Sequence, residues 1–73
     1  MSKIQINPDI CNGKPTIAGT RITVQTIMEF LSARDSIADI LEEYPSLNED
    51  DVYSCLQFAT MLMARSYQIK EIA

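Results

Sequence analysis

The sequence contains no histidine and no tryptophan, and only two glycines and two cysteines among 73 residues. Without histidine it lacks the side chain that titrates nearest neutrality, the most frequent general acid–base and the most frequent metal ligand. Cys11 and Cys55 are too few for a disulfide framework, and a zinc site needs about four Cys or His ligands. They read as a loop thiol and a core filler. No apolar run is long enough to span a bilayer and no N-terminal leader is evident. A cytoplasmic chain with no membrane partner, no metal and no cofactor is expected.

What is present sets the class. Apolar residues make up 47% of the chain, enough for a folded core rather than disorder. The length suits one domain over residues 1–73. So short a chain buries only about 60% of the surface its unfolded form exposes, which leaves a lone core marginal. With neither disulfides nor metal to brace it, the remaining support is a partner chain, and a homodimer is expected. The formal net charge of −4 opposes non-specific adhesion to nucleic acid or anionic membrane, though it leaves room for a local basic patch.

The chain divides near Thr23. In the arm, residues 1–23, apolar residues recur at a spacing of two, Ile4 with Ile6 and Ile22 with Val24, and read as short extended pieces. Pro8 and Pro15 exclude a helix there. In the helical part, 24–73, there is no glycine and the apolar spacing becomes three and four. Val24, Ile27, Met28 and Leu31 predict a helix over 24–33 with Thr23 as its N-cap. Ile37, Ile40, Leu41 and Tyr44 predict a second over 37–43, capped by Ser36 with Asp39 completing a short-acid capping box. Pro45 ends it, because the residue before a proline avoids helical angles. Asn48 then caps a third helix. Glu49, Asp50 and Asp51 sit at its positive end, and Leu47 and Val52 occupy the staple positions. Nothing interrupts this helix to about Ser66, a length of about 27–30 Å.

Helix three carries two apolar stripes. Val52, Cys55, Leu56, Ala59, Leu62 and Met63 suit packing on the other helices. Phe58, Met61, Ile69 and Ile72, with Arg65 among them, form a second face suited to a sister chain or another partner.

Catalysis has little to stand on, since no nucleophile lies beside an evident base. No enzyme is expected. The run "GKPTIAGTR" is not a phosphate loop, because five residues rather than four separate its glycines and Thr-Arg follows. Asp39, Glu42, Glu43, Glu49, Asp50 and Asp51 read as first-turn and solvent-face residues rather than as a metal cluster. Helices two and three, joined by "YPSLN", resemble a helix-turn-helix. The reading turn would then be Asn48-Glu49-Asp50-Asp51, whose carboxylates repel phosphates, so conventional major-groove reading is not expected. Lys14 and Arg21 are the pair of cations near special backbone, where a dimer would double them into a phosphate-binding strip.

"INPDICNGKPTIAGTRITV" followed by "ILEEYPSLNEDDVYSCLQFA" resembles the bacterial family called domain of unknown function 433, DUF433. The resemblance runs from Ile4 to about Ala59. It is carried by Gly13, Lys14, Pro15, Ile17, Gly19, Thr20, Arg21, Ile22 and Val24, and then by Tyr44, Pro45 and Leu47. It implies a mainly α, three-helix homeodomain-like domain with a short β-type N-terminal arm and a long C-terminal helix. It also implies the antitoxin of a type II toxin–antitoxin pair, whose partner is a PIN-like ribonuclease toxin. Operator DNA is the alternative partner. Family members often carry Gly between helices one and two, where this chain has Arg34. Either Arg34 adopts the left-handed angle at a conformational cost, or the turn differs.

Within the arm, Gly13 and Gly19 are expected to hold backbone angles closed to other residues, and Pro15 to stiffen the strand between them. Thr20 and Arg21 are expected to form a polar corner that fixes the arm to helix one. Lys14, Arg21 and Arg65 are the expected contacts to a ribonuclease or to phosphate.

Overall fold

The computed structural model describes residues 3–66. Its elements are β1 (Ile4–Gln5), a single tight turn at Cys11–Gly13, β2 (Thr16–Ile17), α1 (Val24–Ser32), α2 (Ile37–Glu43) and α3 (Glu49–Ser66). The chain is mainly helical, with a two-stranded antiparallel sheet in which Ile4 pairs with Ile17 and Gln5 with Thr16. The second extended piece therefore lies earlier than the Ile22–Val24 spacing suggests. The Ile22 carbonyl accepts a single hydrogen bond from the Ile17 N–H, at 2.9 Å, without forming a strand, and Thr23 makes an isolated bridge to Thr16. Val24 already belongs to α1, because the Thr23 hydroxyl caps the helix by accepting from the Thr26 N–H at 3.0 Å.

Each helix begins where its cap dictates. The Ser36 hydroxyl accepts from the Asp39 N–H at 3.1 Å, and the Asp39 carboxylate accepts from the Ser36 N–H at 2.9 Å. That amide and the hydroxyl together hold the Asp39 carboxyl below the usual carboxylate range. α3 uses the same reciprocal device. Asn48 accepts from the Asp51 N–H at 3.0 Å, and Asp51 accepts from the Asn48 N–H at 2.9 Å. Asp51 is thus not a solvent-face acid like Glu49 and Asp50. It is 8% exposed, and its second oxygen lies 3.4 Å from the Lys3 ammonium, tying the arm to α3.

α1 ends in a Schellman motif. The Asp35 N–H reaches the Phe30 carbonyl and the Arg34 N–H the Leu31 carbonyl, each at 3.0 Å. Arg34 has φ +76°, so the left-handed turn is kept without glycine. A left-handed non-glycine residue costs about 1–2 kcal/mol, and glycine's greater freedom in the unfolded chain offsets about half of that gain. Arg34→Gly is therefore expected to stabilise the protein by about 0.5–1 kcal/mol, raising Tm by roughly 4 °C. Thermal melts of the two proteins check this, and an unchanged or lower Tm for Arg34→Gly refutes it.

The core is Ile17, Val24, Ile27, Ile40, Leu47, Val52 and Cys55. Phe30 and Tyr44 pack edge to face beside it, with ring centroids 5.9 Å apart. α3 outruns this core. Val52 and Cys55 are buried, and Leu56 and Ala59 half-buried, but Leu62 and Met63 are 45% and 59% exposed. The six-residue core stripe read from the spacing therefore stops near Ala59. The reason is length: α3 spans about 27 Å and α1 about half of that, at 1.5 Å per residue.

Burial and the nearby Asp51 charge push the Cys55 thiol up from 9.0 to about 11. Below pH 9 the thiol is protonated in both the folded and unfolded chain, so it leaves stability unchanged. Between pH 9 and 11 only the unfolded chain ionises, and stability falls as pH rises. A disulfide-exchange reagent at pH 8 is expected to label Cys55 only after denaturant is added. Fast labelling of Cys55 in the native protein contradicts this.

Candidate functional site

The arm is built from left-handed backbone. Cys11, Asn12 and Gly13 have φ of +51°, +59° and +81°. The turn is closed by hydrogen bonds from the Gly13 N–H to the Ile10 carbonyl at 3.0 Å and from the Lys14 N–H to the Cys11 carbonyl at 3.1 Å. Asn and Gly tolerate these angles, whereas Cys11 stores strain. Its thiol lies 3.4 Å from the Arg21 carbonyl, which clasps the two ends of the arm loop together.

Gly19, φ +81°, stands third in a turn closed by the Thr20 N–H and the Ile17 carbonyl at 3.0 Å. This is the position where a type II turn needs a positive φ. A Cβ there would meet nothing within 4 Å, so the glycine answers to an angle and not to crowding. The Thr20 hydroxyl donates to the Ile17 carbonyl at 2.8 Å and accepts from the Ile22 N–H at 3.0 Å. Thr20 alone makes the polar corner. Arg21 contributes its carbonyl, while its guanidinium is exposed and has no hydrogen bond or ion pair among the described residues.

Pro15 joins this arm to α1, since its carbonyl accepts from the Val24 N–H at 3.0 Å. Between them and α3 lies a concavity of about 270 Å³, walled by Pro15, Val24, Phe58, Ala59 and Leu62, with Lys14 at the rim. Lys14 also borders an adjoining polar depression lined by Asn12, Thr26 and Glu29. The structure so brings Lys14 and Phe58 to one groove. Arg21 lies on the braced corner instead. Met61 and Arg65 are exposed on the projecting end of α3. Tyr44 and Pro45 belong to the α2–α3 turn, where Tyr44 packs on Phe30. Ile69 and Ile72 lie outside the described residues.

Two parts of this arrangement escape a sequence reading. The groove walls Ala59 and Leu62 look like ordinary core-facing positions, and the short reach of α1 leaves them open. Asp51 was legible in principle, because Asn48 and Asp51 repeat the spacing of Ser36 and Asp39. Among the described residues no three Asp, Glu or Cys side chains gather to hold a metal ion. No helix among them is long and apolar enough to cross a membrane.

Residues 4–59 match the family described as protein of unknown function, DUF433. The fold is similar to the crystal structure of a DUF433 member protein from Anabaena variabilis, at 26% sequence identity and a TM-score of 0.81. The likeness covers 89% of this chain and 64% of that one, so this chain spans under two thirds of that protein's length. No curated protein matches.

Proposed function

The chain belongs to the DUF433 family, and on that premise we propose that it is a non-catalytic interaction protein, the antitoxin that neutralises a PIN-like ribonuclease in the cytoplasm. The observation that carries this reading is Arg21, an exposed guanidinium with no partner among the described residues, next to the corner braced by the Thr20 hydroxyl. A ribonuclease of that kind gathers carboxylates around divalent metal. A protein of net charge −4 approaches such a site only by presenting a fixed local cation. The Gly19 turn and the Thr20 hydroxyl hold the backbone of Arg21 beforehand, which lowers the ordering cost of binding. Lys14, on the next stretch of the arm, supplies a second cation.

The α2–turn–α3 unit reads as homeodomain-like, which makes operator DNA the second partner. Glu49 and Asp50 are exposed at the first turn of α3, where a reading helix meets bases, and they oppose that role. DNA contact would fall instead to Lys14, Arg21 and Arg65.

The deciding experiment titrates a neighbouring-gene ribonuclease with this protein and follows RNA cleavage. Stoichiometric loss of cleavage supports the reading. Undiminished cleavage at a tenfold excess, by a protein that still melts cooperatively, overturns it.

A further inference from the structure

We propose that Asn12 is a self-modification site whose chemistry the folded arm holds off, so that the site records opening of the arm irreversibly. The chemistry is succinimide formation. The Gly13 nitrogen loses its proton to hydroxide and bonds to the Asn12 Cγ, and the side-chain nitrogen leaves as ammonia. Water then opens the ring at either carbonyl, which leaves aspartate or its backbone isomer, isoaspartate. Of the three asparagines in the sequence, Asn12 has the neighbour this step needs. Asn7 precedes Pro8, whose nitrogen has no proton to give up. Asn48 precedes Glu49, whose side chain crowds the approach, and the Asn48 side-chain oxygen is held as the cap of α3. Asn12 precedes Gly13, where no Cβ stands in the way. The Asn12 side chain is exposed and has no hydrogen bond among the described residues.

The backbone supplies the restraint. Asn12 sits at φ +59° and ψ +32°. At that ψ the Gly13 nitrogen lies almost opposite the Asn12 Cβ across the Cα–C bond, whereas ring closure needs the two on the same side. The same nitrogen donates to the Ile10 carbonyl at 3.0 Å, so the proton that must be lost is engaged. Reaction therefore waits for the turn to come apart. The arm is suited to open ahead of the helices. Its sheet is only Ile4–Gln5 against Thr16–Ile17, and Cys11 in the same turn is strained at φ +51°. The step is one-way. Isoaspartate adds a methylene to the main chain at residue 12, which both the Gly13–Ile10 and the Lys14–Cys11 hydrogen bonds span, so the turn cannot close as before. Either product also puts a new carboxylate two residues before Lys14. The inference does not depend on the ribonuclease reading.

Incubation of the full chain at pH 8 and 37 °C, beside a synthetic peptide of residues 8–16, tests it. Peptide mapping by mass spectrometry counts aspartate and isoaspartate at position 12. The peptide, and the protein unfolded in urea, are expected to convert about tenfold or more faster than the native protein. Thr20→Val removes both side-chain hydrogen bonds of the arm's corner and is expected to speed native conversion about threefold or more. Ile40→Val loosens α2 instead and is expected to leave the rate unchanged. Protein converted in urea and then refolded is expected to melt below wild type. A native protein that converts as fast as the peptide overturns the inference, since the fold then holds nothing off. So does Thr20→Val converting at the wild-type rate, or no faster than Ile40→Val, because the gate is then global unfolding and not the arm.

Discussion

Arg21→Ala is expected to weaken binding to the proposed ribonuclease partner by about 2–5 kcal/mol, the range for truncating one member of a buried charge pair. That corresponds to roughly 30-fold to several thousand-fold in Kd. The loss should appear without loss of fold, since the guanidinium has no partner among the described residues and exposed substitutions of this kind change stability by about 0.5 kcal/mol or less. Arg21→Lys should recover only part of the affinity. An ammonium is a point charge, whereas the planar guanidinium fork bridges two carboxylate oxygens. Calorimetric titration of each variant into the ribonuclease, with a melting curve beside it, measures both effects. If Arg21→Ala binds as tightly as wild type, the inhibitory contact is not at Arg21.

The helices were legible because each carries its own punctuation. Thr23, Ser36 and Asn48 mark the starts, and Pro45 marks a stop, through hydrogen bonds and steric conflicts that act over three or four residues. Periodicity supplied Ile27, Ile40 and Val52 for the core. Local rules say little about how far one helix extends past another. For that reason Leu62 and Met63, which have core spacing, are found exposed, and the groove beside them was not foreseen. The arm was legible in part. Both glycines do hold positive φ, but so do Cys11 and Asn12, which local propensity does not single out. The strand position depended on long-range pairing of Thr16 and Ile17 with β1, which the spacing of Ile22 and Val24 does not report.

Asp51→Ala is expected to be among the most destabilising changes outside the apolar core, because Asp51 serves three neighbours at once. One carboxylate oxygen accepts the Asn48 N–H, and the other faces Lys3, while the charge itself lies at the positive end of α3. Loss of the reciprocal cap alone costs about 1 kcal/mol, and the acceptor removed is charged and nearly buried, which roughly doubles the effect. A loss of about 2–3 kcal/mol is expected, a large share of the 5–15 kcal/mol typical of a domain. The Lys3 ion pair is the lesser part. Lys3 is 45% exposed, so solvent screens it, and Lys3→Ala should cost about 1 kcal/mol or less. Asp51→Asn separates the two roles, because an amide oxygen still caps the helix but no longer holds charge for Lys3. The expected order of loss is Asp51→Ala, then Asp51→Asn, then Lys3→Ala, read from urea unfolding followed by circular dichroism. If Lys3→Ala proves as damaging as Asp51→Ala, the arm is held mainly by charge and not by the start of α3. Removing the Asp51 charge also removes one of the two influences that raise the Cys55 thiol, so Cys55 in Asp51→Asn should ionise at a lower pH than in wild type. Spectroscopic titration of the thiolate reads that shift directly, and an unchanged thiol ionisation in Asp51→Asn would show that burial alone raises the Cys55 thiol.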